Sequence, residues 1–279
     1  MEIKRDMNSV WLSMVDMLCS DSDEIKVRGM TTYECIGMHC IVDLKKPVLT
    51  VASRKLSYRF MLAEAIWILS GSNKLEEIAP YNKRMAEFSD DGIYLFGAYG
   101  PRVVGQLGYV AAKLMQDKNT RQAVMTLWRV NPVPSKDIPC TISIQFLIRY
   151  NKLCMIQTMR SSDAWLGFPY DIFTFAMIAT WLCIWLRQQG MTQLTLGDII
   201  FNAGSSHIYE QHMIKSSMCV SKPETAFTYK PIDLDEFKDP EELIEHLTRL
   251  RDCEYEHLKH SFLKELQPVY DIRTPKPQG

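Results

Sequence analysis

The sequence has 279 residues, 47% hydrophobic and 23% charged, with 32 basic against 33 acidic side chains and a formal net charge of −1. So ordinary an apolar content with so small a net charge excludes a disordered chain and allows one large domain, or two small ones, with a sizeable core. The charge balance also excludes the broad basic surface that binds nucleic acid without sequence preference, though not a local basic pocket.

In chain order, Val10, Trp11, Met14, Met17 and Leu18 recur at helical spacing within 8–19. Residues 31–42 alternate as a strand. Residues 56–69 read as a helix stopped by Ser70-Gly71-Ser72-Asn73. Residues 92–102, punctuated by Gly92, Gly97 and Gly100, read as a loop that must turn tightly. Strands are predicted over 121–128 and 141–150, with Asn151-Lys152 as a two-residue hairpin turn into a strand at 153–159. Pro169 precedes a long apolar helix to about Gln189; 194–201 is a further strand, and 240–266 a charged amphipathic helix. No repeat or linker divides the chain, so 1–279 reads as a single domain. Helices and strands mix without strict alternation, which makes the class α+β.

The most apolar run, 172–186, holds 15 uncharged residues. It falls short of the roughly 18–20 that span a bilayer and reads as a buried core helix. The N-terminal MEIKRDMNSVWL lacks the apolar stretch of a signal peptide. A soluble cytoplasmic protein is expected, in the host cytoplasm if the chain is viral, with no membrane or nucleic-acid partner. Eight cysteines include no CxxC pair, which suits free thiols in a reducing compartment. Only Cys35, His39 and Cys40 cluster, and no metal is expected.

Three places could carry chemistry. Cys140 follows a proline and opens a strand; it is either a structural thiol or a nucleophile needing a cationic neighbour, which the hairpin supplies in Arg160. Asp171 sits at the mouth of the apolar helix, where it either satisfies the helix start or points into a pocket. His207 and Tyr209 share a face if their segment is extended, with His212 just beyond.

Together these segments resemble the thymidylate synthase superfamily from about residue 30 to about residue 220. The carriers are AEAIWILSG (63–71), GAYG (97–100), TRQAVMTLW (120–128), PCTISIQF (139–146), MRSSDAWLGFPYDI (159–172) and GDIIFNAGSSHIYEQH (197–212), in that order. The resemblance implies a large mixed sheet packed with helices, one sheet face forming a homodimer interface with shared sites. It implies 5,10-methylenetetrahydrofolate as co-substrate and a pyrimidine nucleoside monophosphate as acceptor. By the same resemblance Cys140 is the nucleophile that adds to C6. Arg160, Ser161 and Arg28 bind phosphate, and Arg121 reaches the partner subunit's nucleotide. His207 and Tyr209 hold the sugar 3′-hydroxyl. Glu64 organises water and proton transfer, and Tyr99 belongs to the water network near C5. Asp163 holds the pterin ring, with Trp67, Leu166 and Gly167 in the same cofactor site.

Departures from the synthase pattern are similar to the branch that makes 5-hydroxymethyl-dCMP. Thr141 replaces His, Met159 replaces Gln and Asp171 replaces Asn; Gln122, where a second arginine usually follows Arg121, stands apart from that pattern and leaves part of the phosphate site, and with it the exact nucleotide, open. Uracil offers an N3–H donor beside an O4 acceptor, which an oriented carboxamide matches. Cytosine reverses both, and a carboxylic acid donates to N3 and accepts from N4–H₂; a carboxylate instead holds N3-protonated cytosine. In a hydroxymethylase, water rather than a folate hydride completes the transfer. The polar tail DIRTPKPQG differs from the apolar tail that closes synthase sites. The alternatives are a CMP hydroxymethylase of a nucleoside-antibiotic pathway, a dUMP hydroxymethylase and a thymidylate synthase. A non-catalytic nucleotide- or RNA-binding homologue fits poorly with intact Cys140, Glu64, Arg160 and Asp163.

Overall fold

A computed structural model describes residues 5–131 and 133–266. Asp6 caps the first helix, α1 (Met7–Ser20), by accepting from the Ser9 N–H at 3.1 Å. Two antiparallel strands follow, β1 (Asp23–Val27) and β2 (Met30–Asp43), joined by Arg28-Gly29 with both residues at positive φ, the geometry of a tight two-residue hairpin. Ser57 caps α2 (Tyr58–Leu69), and the short α3 (Leu75–Ile78) leads to α4 (Gly100–Gln116). Next come β3 (Val124–Thr126), β4 (Thr141–Arg149) and β5 (Lys152–Asp163). The chain then runs through α5 (Phe168–Gln188), β6 (Thr195–Tyr209), α6 (Glu210–Ser221) and α7 (Pro240–Arg251).

The six strands form one sheet in the order β1-β2-β6-β5-β4-β3. Only β5 and β6 run parallel, because α5 carries the chain back between them. α5 is long and apolar enough to cross a membrane, yet 83% of its most apolar stretch is buried inside the fold. It packs on β5 and β6, and its side chains share one buried core with Ile144, Phe146 and Ile148 of β4 and Leu153 and Met155 of β5. The opposite face carries Ile41, Leu147, Ile156 and Ile200, only part-buried. The Trp11 indole N–H donates to the Ala164 carbonyl at 2.8 Å, and the Trp11 and Trp165 rings lie 5.8 Å apart.

The structure corrects several boundaries. The hairpin turn is Tyr150-Asn151, both at positive φ, one residue before the expected pair, since Arg149 already faces Lys152. The strand expected over 121–128 keeps only Val124–Thr126. β6 runs on to Tyr209, its polar second half facing a cleft rather than forming a loop. The last helix does not reach 266: it ends at Arg251, Cys253 turns at φ 65°, and a helical turn resumes at 261–266. α4 occupies part of the expected loop and extends well past it. Its buried Val103, Leu107, Val110, Ala111 and Leu114 show helical spacing, diluted by the exposed Gly105 and Gly108.

Candidate active site

β5 ends at Asp163, and 164–167 turn the chain so that Asp171 falls in the first turn of α5. Alternate strand residues share a face. In register, Met159, Ser161 and Asp163 of β5 therefore stand beside Ala203, Ser205 and His207 of β6. Met159 and Ala203 are buried beneath α5, whereas Ser161, Asp163, Ser205 and His207 are part-exposed. α5 runs back over the sheet from this point and leaves the strand ends uncovered. That is the cleft.

Cys140 directly precedes β4, its carbonyl accepting from the Arg160 N–H at 2.8 Å. The Arg160 guanidinium folds over this segment: Nε donates to the Pro139 carbonyl at 2.9 Å, Nη2 to the Ile138 carbonyl at 3.1 Å, and Nη2 lies 3.6 Å from Cys140 Sγ. Burial pushes the thiol pKa up and Arg160 pulls it down, while Asp171 adds to the rise and a Ser161 hydrogen bond opposes it. Arg160 is beside the thiol, but its charge does not outweigh burial.

The GAYG segment delivers Tyr99 to the same place. The Gly97 N–H donates to Asp137 Oδ2 at 2.6 Å, and a Cβ at Gly97 would fall 2.6 Å from the Asp137 carbonyl oxygen. A Cβ at Gly100 would meet the Ser72 backbone. Both positions therefore require glycine because backbones approach closely. Tyr99 Oη accepts from the Thr141 N–H at 3.1 Å, and burial, then Asp171 and Cys140, holds its pKa well up.

Three carboxyl groups converge from three elements. Burial raises Glu64 of α2 to about 7. Burial, then Glu64 and Asp163, raises Asp171 well above the carboxylate range. Asp163 is raised by burial against two backbone donors. Its Oδ1 accepts from the Trp165 and Leu166 N–H groups at 2.8 Å each, while Oδ2 is buried with no hydrogen-bond partner among the described residues. The cluster thus favours neutral acids, which can donate as well as accept. An orphaned acceptor beside a cleft suits a ligand rich in N–H donors, as a pterin ring is.

His207 and Tyr209 do share a face, their rings edge-on at 5.4 Å. Burial lowers the His207 pKa, opposed by Asp163 and Glu34 and assisted by Arg28 and Arg160. Arg28 sits exposed at the β1–β2 hairpin tip, close enough for its charge to be felt there. Trp67 is buried on α2 with its indole N–H on the Lys74 carbonyl at 3.1 Å. Leu166 donates its N–H to Asp163 Oδ1, and a Cβ at Gly167 would come 3.3 Å from the Asp163 carbonyl oxygen and 3.4 Å from Asp171 Oδ2.

Arg121 is not brought to this cluster. Its carbonyl accepts from the side chain of Gln145, five residues along β4 from Cys140, roughly 17 Å of extended chain away. The tail at 271–279 lies outside the described residues. Cys40 faces the core, its thiol pushed by burial to about 12, whereas His39 pairs with Asn202 on the other face, so Cys35, His39 and Cys40 do not converge. Sequence reasoning missed Glu34, which accepts from Ser205 beside His207, and Asp137, which anchors Gly97. It also missed Arg54, buried over the Trp165 ring at 4.5 Å with its guanidinium on the Trp165 carbonyl. Only register and loop packing reveal them.

The family model "Thymidylate synthase" matches residues 10–260. A thymidylate synthase of Francisella philomiragia is 25% identical over 268 residues, covering 83% of this chain and 88% of that protein. A deoxyuridylate hydroxymethyltransferase of Bacillus phage SP01 is 27% identical over 225 residues, covering 72% of this chain and 56% of that protein.

Proposed function

Because the chain belongs to the thymidylate synthase family, folate-dependent one-carbon transferases that act on pyrimidine nucleotides, we propose that it hydroxymethylates C5 of dCMP. The observation that carries this reading is Asp171: a carboxyl group held neutral by burial and by two neighbouring acids, beside Tyr99 and Cys140. When a thiolate adds to C6 of cytosine, the electrons displaced from the C5–C6 double bond collect at N3. An acid that donates to N3 and accepts from N4–H₂ is complementary to the base and more so to that adduct.

Cys140 is the nucleophile, activated as its proton leaves and Arg160 stabilises the thiolate. Tyr99 holds the Thr141 N–H next to it and so fixes the start of β4. Glu64, with its pKa near 7, both gives and takes a proton at neutral pH, which suits a group that removes the C5 proton through water. Arg160 and Ser161 bind phosphate, and His207 with Tyr209 holds the sugar. Asp163, through its free Oδ2, holds the pterin, with Trp67, Leu166 and Gly167 around it. Methylenetetrahydrofolate supplies the one-carbon unit as an electrophile; water completes the hydroxymethyl group.

The active form is a homodimer in this reading. Arg121 lies roughly 17 Å down the sheet from its own Cys140. Ile41, Leu147, Ile156 and Ile200 line the face that a second copy covers, carrying each Arg121 to the partner's phosphate. A second reading, dUMP as acceptor, is favoured by the phage relative named deoxyuridylate hydroxymethyltransferase. A neutral Asp171 can also donate to uracil O4 and accept from N3–H. Incubation with methylenetetrahydrofolate and dCMP, CMP or dUMP, with products identified by mass, tests both. Hydroxymethyl-dCMP as the preferred product is expected. Preferential turnover of dUMP replaces the first reading with the second, and a methylated product makes the chain a synthase.

A further inference from the structure

Outside the cleft, a second group of titratable side chains is buried where α7 meets the segment after it. Glu242 and His246 stand four residues apart on one face of α7, and His260 joins them from beyond the break at Cys253. Glu242 is 6% exposed, His246 2% and His260 1%. One potential ligand atom from each lies within 4.8 Å of the other two.

The local contacts leave these atoms without ordinary partners. His246 Nδ1 and both ring nitrogens of His260 make no hydrogen bond among the described residues. His246 Nε2 is 3.8 Å from Glu242 Oε1, and His260 Nδ1 is 3.9 Å from Glu236 Oε2, beyond hydrogen-bond length. The two imidazoles meet edge-on at 4.5 Å, and Phe237 stacks on His260 at 4.0 Å. Lys259 reaches Glu242 Oε1 only at 3.8 Å and is largely exposed, free to swing away. Burial keeps both histidines neutral, so their lone pairs are available.

Buried polar atoms left unpaired are costly, so three in one spot call for a partner. A proton cannot serve all of them, and apolar packing serves none. We infer that Glu242, His246 and His260 form a structural site for a divalent transition metal, zinc by its ligand chemistry, that ties α7 to the chain beyond its end. Two imidazoles and one carboxylate are a zinc donor set of the open kind, with water as the fourth ligand, here placed outside the cleft. Bonds of roughly 2.0–2.1 Å place tetrahedral ligand atoms roughly 3.3 Å apart, so the three contract modestly on binding. The other Glu242 oxygen is already fixed by the Lys238 N–H at 2.9 Å, and Glu236, held by Ser261, stands beside His260 as an outer-shell acceptor. A cavity of about 250 Å³, lined by His246, His257, Glu245 and Glu256, borders the group and gives a route in from solvent.

The test uses the full chain and zinc alone, with no substrate. Protein purified without chelator and analysed by elemental mass spectrometry should carry one zinc per chain. Zinc-edge X-ray absorption should find two imidazoles and no sulfur. Cobalt substitution should give visible d–d bands without a thiolate charge-transfer band. His246→Gln, His260→Gln and Glu242→Gln should each weaken zinc by more than the roughly 10–100-fold that loss of an outer-shell partner costs. Wild-type protein that takes up no zinc, or that shows sulfur ligation, overturns the proposal. So does unchanged affinity in folded His246→Gln and His260→Gln. If the variants do not fold, the wild-type stoichiometry and ligation spectra decide alone.

Discussion

Two clusters of buried titratable groups lie in this molecule, and they solve the same problem in opposite ways. At the mouth of α5, Glu64, Asp163 and Asp171 come from α2, β5 and α5, with Glu64 distant in sequence from the other two, and face a cleft. Along α7, Glu242 and His246 come from one helix and His260 from the chain that folds back beyond it, away from that cleft. Burial disfavours charge in both. The acids respond by holding protons and become hydrogen-bond donors; the imidazoles respond by losing them and become lone-pair donors. The first outcome suits reading a nucleobase edge, and the second suits a cation.

The sharpest way to break this contrast is at Cys140, the proposed nucleophile beside the acid cluster. Cys140→Ser should lose turnover to background while binding nucleotide nearly as wild type does, because an alcohol of high pKa cannot add to C6. Isothermal titration alongside a single-turnover assay checks it. Substantial residual turnover removes Cys140 from the reaction.

A second prediction concerns the energetic cost of the acids. The Glu64 pKa is raised from 4.5 to about 7 on folding. Its contribution to stability is therefore intact below pH 4.5 and lost as pH rises through 7. Glu64→Gln lacks that titration, so it should be more stable than wild type by on the order of 2–3 kcal/mol above pH 7, with the gap closing near pH 4.5. Denaturant unfolding of both proteins across pH 4–8 measures this. A gap that is flat with pH contradicts a neutral cluster.

Base choice comes next. Asp171→Asn should lower kcat/KM for dCMP and raise it for dUMP, with a swing in the ratio of at least roughly tenfold, since a buried mismatch costs about 1–3 kcal/mol. An unchanged ratio takes base recognition away from Asp171. For assembly, mixing Arg121→Ala with Cys140→Ser subunits should restore roughly a quarter of wild-type activity through heterodimers with one complete site. No recovery after verified subunit exchange separates Arg121 from the partner's site. The smallest effect probes the independence of the two clusters. Chelation should lower Tm by roughly 5 °C while leaving kcat/KM unchanged, as expected for distant sites.

Much of the cleft was legible in the sequence because its residues sit in short motifs whose spacing maps directly onto strands. Cys140, Arg160, Ser161 and Asp163 follow from one hairpin, and His207 with Tyr209 from period-two alternation. Asp171 was legible as the acid that opens an apolar helix. α4 was not, since Gly105 and Gly108 weaken its helical pattern at exposed positions that packing does not constrain. α6 was missed because only Ser216 and Cys219 of its residues are buried, leaving no apolar stripe. The helix expected through Leu266 was broken by Cys253, whose positive φ no local residue signals. The same break hid the α7 cluster, for His260 reaches Glu242 and His246 only after the chain has turned back.

The pair of indoles at 5.8 Å, Trp11 on α1 and Trp165 two residues past Asp163, has a use of its own. Two such chromophores, tilted by 42° and this close, couple their excited states, so their circular dichroism in the near ultraviolet depends on mutual orientation. Trp165 donates its backbone N–H to Asp163 Oδ1, and Trp11 grips the Ala164 carbonyl between them. Movement of the loop after Asp163 therefore turns one indole against the other. The chain carries an optical gauge for that loop, readable in unlabelled protein, without chemistry taking place.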